Sequence, residues 1–461
     1  MPDYKKKSVK KVKLNAAVKP AKKAAPKKKK PVKVTKPEII NMERKPKKEV
    51  KTAVLPKKPV KHTPQKVKNN SSGTAKKNST PVLSFTVISG EKAVGFFAKH
   101  KFFLTVIVLI IAIALFSLFT PTGLIEYSQN YFKSIGSGKF PKDLVGAKTL
   151  DCRSNGNPLI LTDAAYLVYN ESGKTVFSDT HGFTNPIMKT SKARTLVFDQ
   201  NGNNYKVYNY STTLTSGSSN DALITGDICR NGSYAIVSKP ADYASKVEIF
   251  TKHNKMKFTW CSSKEIVTAV TLSNNGNRLA VATIYANAGQ SVSKVYIFGY
   301  KSADPLYTLQ YESPVLYLEN FNGSSFVAAT ETSVNFIKWK NGVGTTAALG
   351  GRIISIREVS ATKLCVSCES SNNNLETRLI MFNNKFFPEK DIVYAGAIND
   401  VLYYGKCFYC LDGNRVYKID GTGKVIKHAE CGYSVRRILP RTANSVITVS
   451  DSSIDKCVLE D

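Results

Sequence analysis

Tryptophan and histidine are nearly missing, with 2 Trp and 5 His in 461 residues. Beyond residue 101 only His181, His253 and His428 remain, none beside a serine or carboxylate in a recognisable catalytic grouping. No nucleophile elbow, HExxH helix motif or glycine-rich phosphate loop occurs, which sets aside serine hydrolase, zincin and P-loop chemistry. The nine cysteines are odd in number and scattered, unlike the disulfide framework of a small secreted domain. After residue 144 no long amphipathic helical pattern is found. Acidic residues are also few, 34 against 67 Lys and Arg, for a formal net charge of +33.

That charge is localised. Residues 1–80 hold 26 Lys and one Arg against four acids, a net of +23. The segment "VKPAKKAAPKKKKPVKVTKP" is Lys, Pro, Ala and Val with almost no aromatics. It cannot bury enough apolar surface to offset its ordering entropy, so 1–80 is expected to be a disordered cytoplasmic tail. Its composition is similar to linker-histone tails. The partners it implies are anionic lipid or nucleic acid, bound electrostatically.

Residues 81–101 read as a juxtamembrane segment, and 102–120 as a transmembrane helix. Phe102 to Phe119 is an unbroken run of 18 residues with only Thr105 and Ser117 polar. At 1.5 Å per residue it covers about 27 Å, near the hydrocarbon thickness of a bilayer. Lys92, Lys99, His100 and Lys101 precede it, and few positive residues follow. The positive-inside rule then predicts a retained signal-anchor, a single pass through the cell membrane, a cytoplasmic N-terminus and an extracytoplasmic C-terminal domain. Residues 121–143 read as a stalk whose Gly136, Gly138 and Pro141 interrupt a helical start.

From 144 to 461 one phrase recurs: a polar turn, then an alternating apolar run. It reads "NGNPLILTD", "SKARTLVFD", "RNGSYAIVS", "NNGNRLAVAT", "FNGSSFVAAT", "SATKLCVSC", "YGKCFYCLD" and "TANSVITVS". A loose period near 41 residues with about four short strands per period marks propeller blades. The fold class predicted is all-β, a β-propeller of seven to eight four-stranded blades. The last unit has room for about three strands, so the N-terminal part of the domain is expected to supply the outer strand that closes the ring.

"NESGKTVFS" from Asn170 and "DGTGKVIKH" from Asp420 resemble the Asp-x-x-Gly-Lys turn of quinoprotein-like and WD-repeat-like propellers. The whole arrangement resembles a bacterial family of single-pass membrane-anchored propeller proteins. That resemblance implies a propeller on the outer face of the membrane and brings no activity with it. Phe177 and His428 stand where quinoprotein blades carry Trp, and the Trp-Asp pair of WD repeats is missing, which argues against quinone chemistry.

Cys365 and Cys368, with Cys407 and Cys410, read as CxxC pairs. In extended strands residues i and i+3 point to opposite faces, so these are expected in blade cores and not on zinc. No catalytic, metal or cofactor-binding residue is assigned, and no cofactor is expected. Asp163, Asp179, Asp199, Asp227 and Asp412 lie beside turns. The function predicted is a membrane-anchored binding or scaffold module with the bilayer and a protein or glycan as partners. The alternatives are a glycan- or peptide-processing enzyme with carboxylates in the propeller mouth, or a tether for nucleic acid through the tail. Convergent carboxylates would favour the enzyme, and a broad apolar face the scaffold.

Overall fold

A computed structural model describes residues 101–460 except 120–123, 153–156, 192–193, 361, 371–374 and 432–433. The tail and nearly all of the juxtamembrane segment lie outside the described residues. The described chain is two helices followed by a ring of eight four-stranded antiparallel sheets.

Seven blades are consecutive in sequence: β2–β5 (Ala147–Thr180), β6–β9 (Pro186–Ser218), β10–β13 (Ala222–Ser262), β14–β17 (Ile266–Tyr311), β18–β21 (Tyr317–Ala348), β22–β25 (Ile353–Tyr394) and β26–β29 (Asp400–Glu430). The eighth combines β30 (Val435–Thr442), β31 (Ser445–Ser450) and β32 (Ser453–Val458) with β1 (Lys142–Asp143). Lys142 pairs with Ile454 and Asp143 with Ser453, so the N-terminal strand closes the ring. The choice between seven and eight blades is settled at eight. The first strand lies just inside the segment expected as stalk.

Each recurring phrase is the second strand of its blade. β3 (Pro158–Thr162), β7 (Thr195–Asp199), β19 (Ser325–Ala329) and β31 are buried along their whole length. A second strand is flanked by strands on both edges and by neighbouring blades on both faces, so both sides of its alternation must be apolar. In β7 Leu196 and Phe198 pack toward the third blade, while Val197 packs toward the first. Eight such apolar clusters fill the eight interfaces between blades. Each buried Val, Leu, Ile or Phe contributes about 1.5–3 kcal/mol.

Cys365 packs toward the seventh blade and Cys368 toward the fifth. Cys410 faces the sixth blade and Cys407 the eighth. Neither pair can converge on one ion, because successive rungs of a strand alternate faces.

Helix α1 spans Lys101–Phe119, with side chains described to Leu115. Phe102, Phe103, Val108, Leu109, Ile110 and Ile111 are exposed around it. Among the described residues no helix is long and apolar enough to cross a membrane, so the span expected over 102–120 is not shown by the structure. Helix α2, Leu124–Ser134, occupies the segment expected to be an irregular stalk. It ends before Gly136, with Glu126 in its first turn and Lys133 in its last, charges that suit the helix dipole.

Candidate functional site

The propeller holds α2 through specific polar contacts. Arg194, at the turn between β6 and β7, forms a bidentate ion pair with Glu126, its Nη2 lying 2.9 Å from Oε2. Asn209 Nδ2 donates to the same carboxylate at 2.8 Å, and Ser211 Oγ donates to Asn130 Oδ1 at 2.7 Å. Asn170 Nδ2 donates to the carbonyls of Ser134 and Gly136 at 2.9 and 2.8 Å. Glu126, Asn130 and Lys133 share one helix face, at spacings of four and three. Tyr127, Tyr131 and Phe132 stand exposed on the other.

The turn that receives the stalk is the "NESGK" motif. Asn170 Oδ1 accepts the N–H groups of Ser172 and Lys174, and Gly173 takes φ +87°. "DGTGK" repeats it, with Asp420 Oδ1 accepting from Thr422 and Lys424 and Gly423 at φ +92°. In the first blade this turn is met at close range by Gly138, where a Cβ would lie 2.1 Å from the Lys174 nitrogen. The motif serves docking here. Asn170 and Asn209, two of the four Asn-x-Ser/Thr sequons among the described residues, are buried and committed to these contacts.

Turns joining first to second strands and third to fourth strands leave the same end of an antiparallel blade. The stalk contacts use turns of both kinds. The mouth of the central channel opens at that same end. There a cup of about 250 Å³ is lined by Asp151, Lys189, Asp227, Thr271, Glu319 and Glu358, one from the inner strand of each of the first six blades. Asn274 of "NNGN" lies at its rim, its Oδ1 accepting from Asn320 Nδ2 at 3.0 Å.

Register explains the convergence. Asp151, Lys189, Asp227, Thr271 and Glu319 pair with Leu159, Leu196, Ala235, Ala280 and Val327. Each of those five packs toward the following blade. These five lining residues therefore project from the same side of their inner strands, whereas Glu358 pairs with Leu364, which packs toward the preceding blade, and stands one residue out of the series. The next position in the series is Arg357, opposite Cys365, and then Leu402 and Leu439, opposite Tyr409 and Ile447. Charged and polar groups thus occupy six places of the ring, and leucines two.

Carboxylates in the cup are engaged and electrostatically frustrated. Thr190 Oγ1 donates to Asp151, the Tyr317 hydroxyl to Glu319, and the Leu272 N–H to Asp227 Oδ2 at 3.0 Å. Burial raises the Glu319 carboxyl to about 8; Lys189 opposes the rise, and Glu358, Asp227 and Asp151 add to it. Burial also raises Asp227, against Lys189 and its hydrogen-bond donors. Cys229, on the wall, is pushed up to about 12 by burial, which keeps it a thiol and a poor nucleophile. Glu319 keeps a surface open to the lumen even though protein surrounds it.

Of the aspartates singled out in the sequence, only Asp227 reaches the cup. Asp163 pairs with Lys148 at 3.0 Å, Asp179 with Lys206 at 2.9 Å, Asp199 Oδ1 accepts the Asn185 N–H at 2.7 Å, and Asp412 accepts from Tyr394 at 3.1 Å. Asp151, Glu319, Glu358 and Lys189 were missed. Their inner strands carry mixed polar and apolar residues with no distinctive phrase, and only the rung alignment brings them together.

Residues 149–459 match the family described as "Family of unknown function (DUF5711)", and the chain belongs to that family. No curated protein matches it. Among solved structures it is similar to Saccharomyces cerevisiae Sqt1, at 11% identity and TM-score 0.49, over 70% of this chain and 99% of that one. It is also similar to BamB from Moraxella catarrhalis, at 7% identity and TM-score 0.44, over 70% and 100%. The C-terminal WD40 domain of Sif2 gives 10% identity and TM-score 0.48, over 71% and 100%.

Proposed function

We propose that this member of the family is a membrane-anchored binding propeller whose channel cup receives a cationic group of a protein or peptide partner. The observation that carries the reading is the latched stalk. It ties an apolar segment to the face of the ring on which the cup opens. In this reading the run Phe102–Phe119 is the anchor, as its length and composition support. Tyr127, Tyr131 and Phe132, turned away from the propeller, suit the aromatic belt of a bilayer interface. The lysine bias puts the propeller outside the cell and the tail inside, against anionic lipid of the inner leaflet or against nucleic acid.

The cup suits an ammonium or guanidinium group because four carboxylates, Asp151, Asp227, Glu319 and Glu358, outnumber two cations, Lys189 within it and Arg230 on its wall. A cation entering beside Glu319 favours its ionised form, so binding expels a proton and strengthens as pH rises toward 8. The same carboxylates support a second reading, a glycan- or peptide-processing enzyme with Glu319 as general acid and an ionised neighbour as base.

The test uses the full-length protein in vesicles. Alkaline carbonate should leave it in the membrane, and protease added outside intact cells should reach the propeller and spare the tail. Arg-rich peptides should bind more tightly at pH 8 than at pH 6, and Asp227→Asn should weaken that binding. Release by carbonate would end the anchor reading. Peptide binding indifferent to pH and to Asp227→Asn would end the cup reading, and glycan or peptide turnover lost in Glu319→Gln would establish the enzyme.

A further inference from the structure

The seventh and eighth blades bring two thiols into contact. Cys431 follows β29 (Val425–Glu430), the outer strand of the seventh blade, and Cys457 lies on β32 of the eighth. Their sulfurs are 3.3 Å apart. Backbone bonds hold both sides of this contact. His428 and Glu460 exchange N–H to carbonyl bonds at 3.0 and 2.9 Å, Cys431 N–H donates to Asn414 O at 2.7 Å, and Leu459 N–H donates to Asn444 O at 2.9 Å.

We infer that Cys431 and Cys457 are an oxidative modification site that forms a disulfide stapling the closing blade to its neighbour. A disulfide needs about 2.05 Å between sulfurs. The remaining gap is little more than about 1 Å, a distance that side-chain rotation covers without moving strands. The oxidant is a small-molecule disulfide. Cys431, only partly buried, takes one half of it as a mixed disulfide and releases the other half as a thiol. The Cys457 sulfur then displaces the second thiol. Two protein thiols lose two protons and two electrons, and the reagent disulfide becomes two thiols.

The bond would act on ring closure. β32 is the strand that receives β1, so fixing it to the seventh blade restrains both partners of the last seam. The loop it closes contains β30 and β31, long enough for the cross-link to restrict the unfolded chain substantially. The site does not depend on the membrane reading, although an oxidising compartment outside the cell is where such a bond persists.

The full-length protein is incubated with oxidised glutathione or with dithiothreitol, alkylated and digested with trypsin. The oxidised sample should yield peptides 428–436 and 457–461 joined, lighter by two hydrogens than their sum. Its thermal midpoint should exceed that of the reduced sample by several degrees. Cys431→Ser should remove both the joined peptide and the redox dependence of the midpoint. If that variant fails to fold, the comparison of oxidised and reduced wild type still decides. Both cysteines remaining alkylatable after oxidation, or stable glutathione adducts in place of the joined peptide, would overturn the inference.

Discussion

Lys142 pairs with Ile454 across the outer part of the eighth blade, joining the first strand of the propeller to its last. The seam continues into Leu144, whose N–H donates to Ser452 O at 2.7 Å and whose side chain is buried in the interface between the eighth and first blades. Leu144→Ala should therefore cost about 2–5 kcal/mol, as for other buried leucines. The denaturant midpoint measures this. A loss within about 0.5 kcal/mol, ordinary for a surface site, would mean that the seam does not hold the ring.

A second seam is ionic. Asp400 is 1% exposed and accepts from Arg357 Nη2 at 2.9 Å, from Arg437 Nη1 at 3.3 Å and from the Ile438 N–H at 2.9 Å. It thereby links the sixth, seventh and eighth blades. Asp400→Ala strands a partly buried guanidinium and a buried N–H, and should cost about 3–5 kcal/mol. Asp400→Asn keeps an acceptor and should cost less. Equal losses for the two variants, read from urea unfolding, would show that charge and acceptor geometry do not matter there.

The ring was legible in the sequence because its second strands are apolar on both faces. That requirement wrote the same phrase eight times, and the short final unit announced closure by an earlier strand. The stalk was not legible. Gly136 and Gly138 look like helix breakers, but α2 ends before them, and Gly138 serves close approach to the Lys174 backbone. The cup was legible only at Asp227. Its other members are lone polar residues in weakly patterned strands, and their meeting depends on the rotation from blade to blade, which no local pattern encodes.

The latch between α2 and the ring has its own test. Glu126 receives Arg194 and Asn209, and both members of the ion pair are mostly buried. Glu126→Ala leaves the Arg194 charge without its carboxylate, a cost of about 1.5–3 kcal/mol borne by local docking. Tryptic cleavage at Lys133 should then quicken roughly ten- to hundredfold, while the propeller's thermal midpoint barely moves. A large fall in the midpoint with unchanged cleavage would show that α2 is part of the ring's cooperative unit.

The cup should make stability depend on pH in a defined direction. The Glu319 carboxyl titrates near 8 in the fold, against 4.5 for the free group. Between those values the folded chain holds a proton that the unfolded chain has released, so rising pH favours unfolding across that window and has no further effect above it. Asp227, also raised by burial, acts with the same sign. Glu319→Gln cannot ionise. Its thermal midpoint relative to wild type should therefore climb from about pH 5 to about pH 8 and then level off. Lys189→Met removes the cation that holds Glu319 down, and should shift the wild-type dependence to higher pH. Parallel midpoint curves for wild type and Glu319→Gln would mean that Glu319 is fully solvated in the channel, and the frustrated cup would have to be abandoned as a binding site for cations.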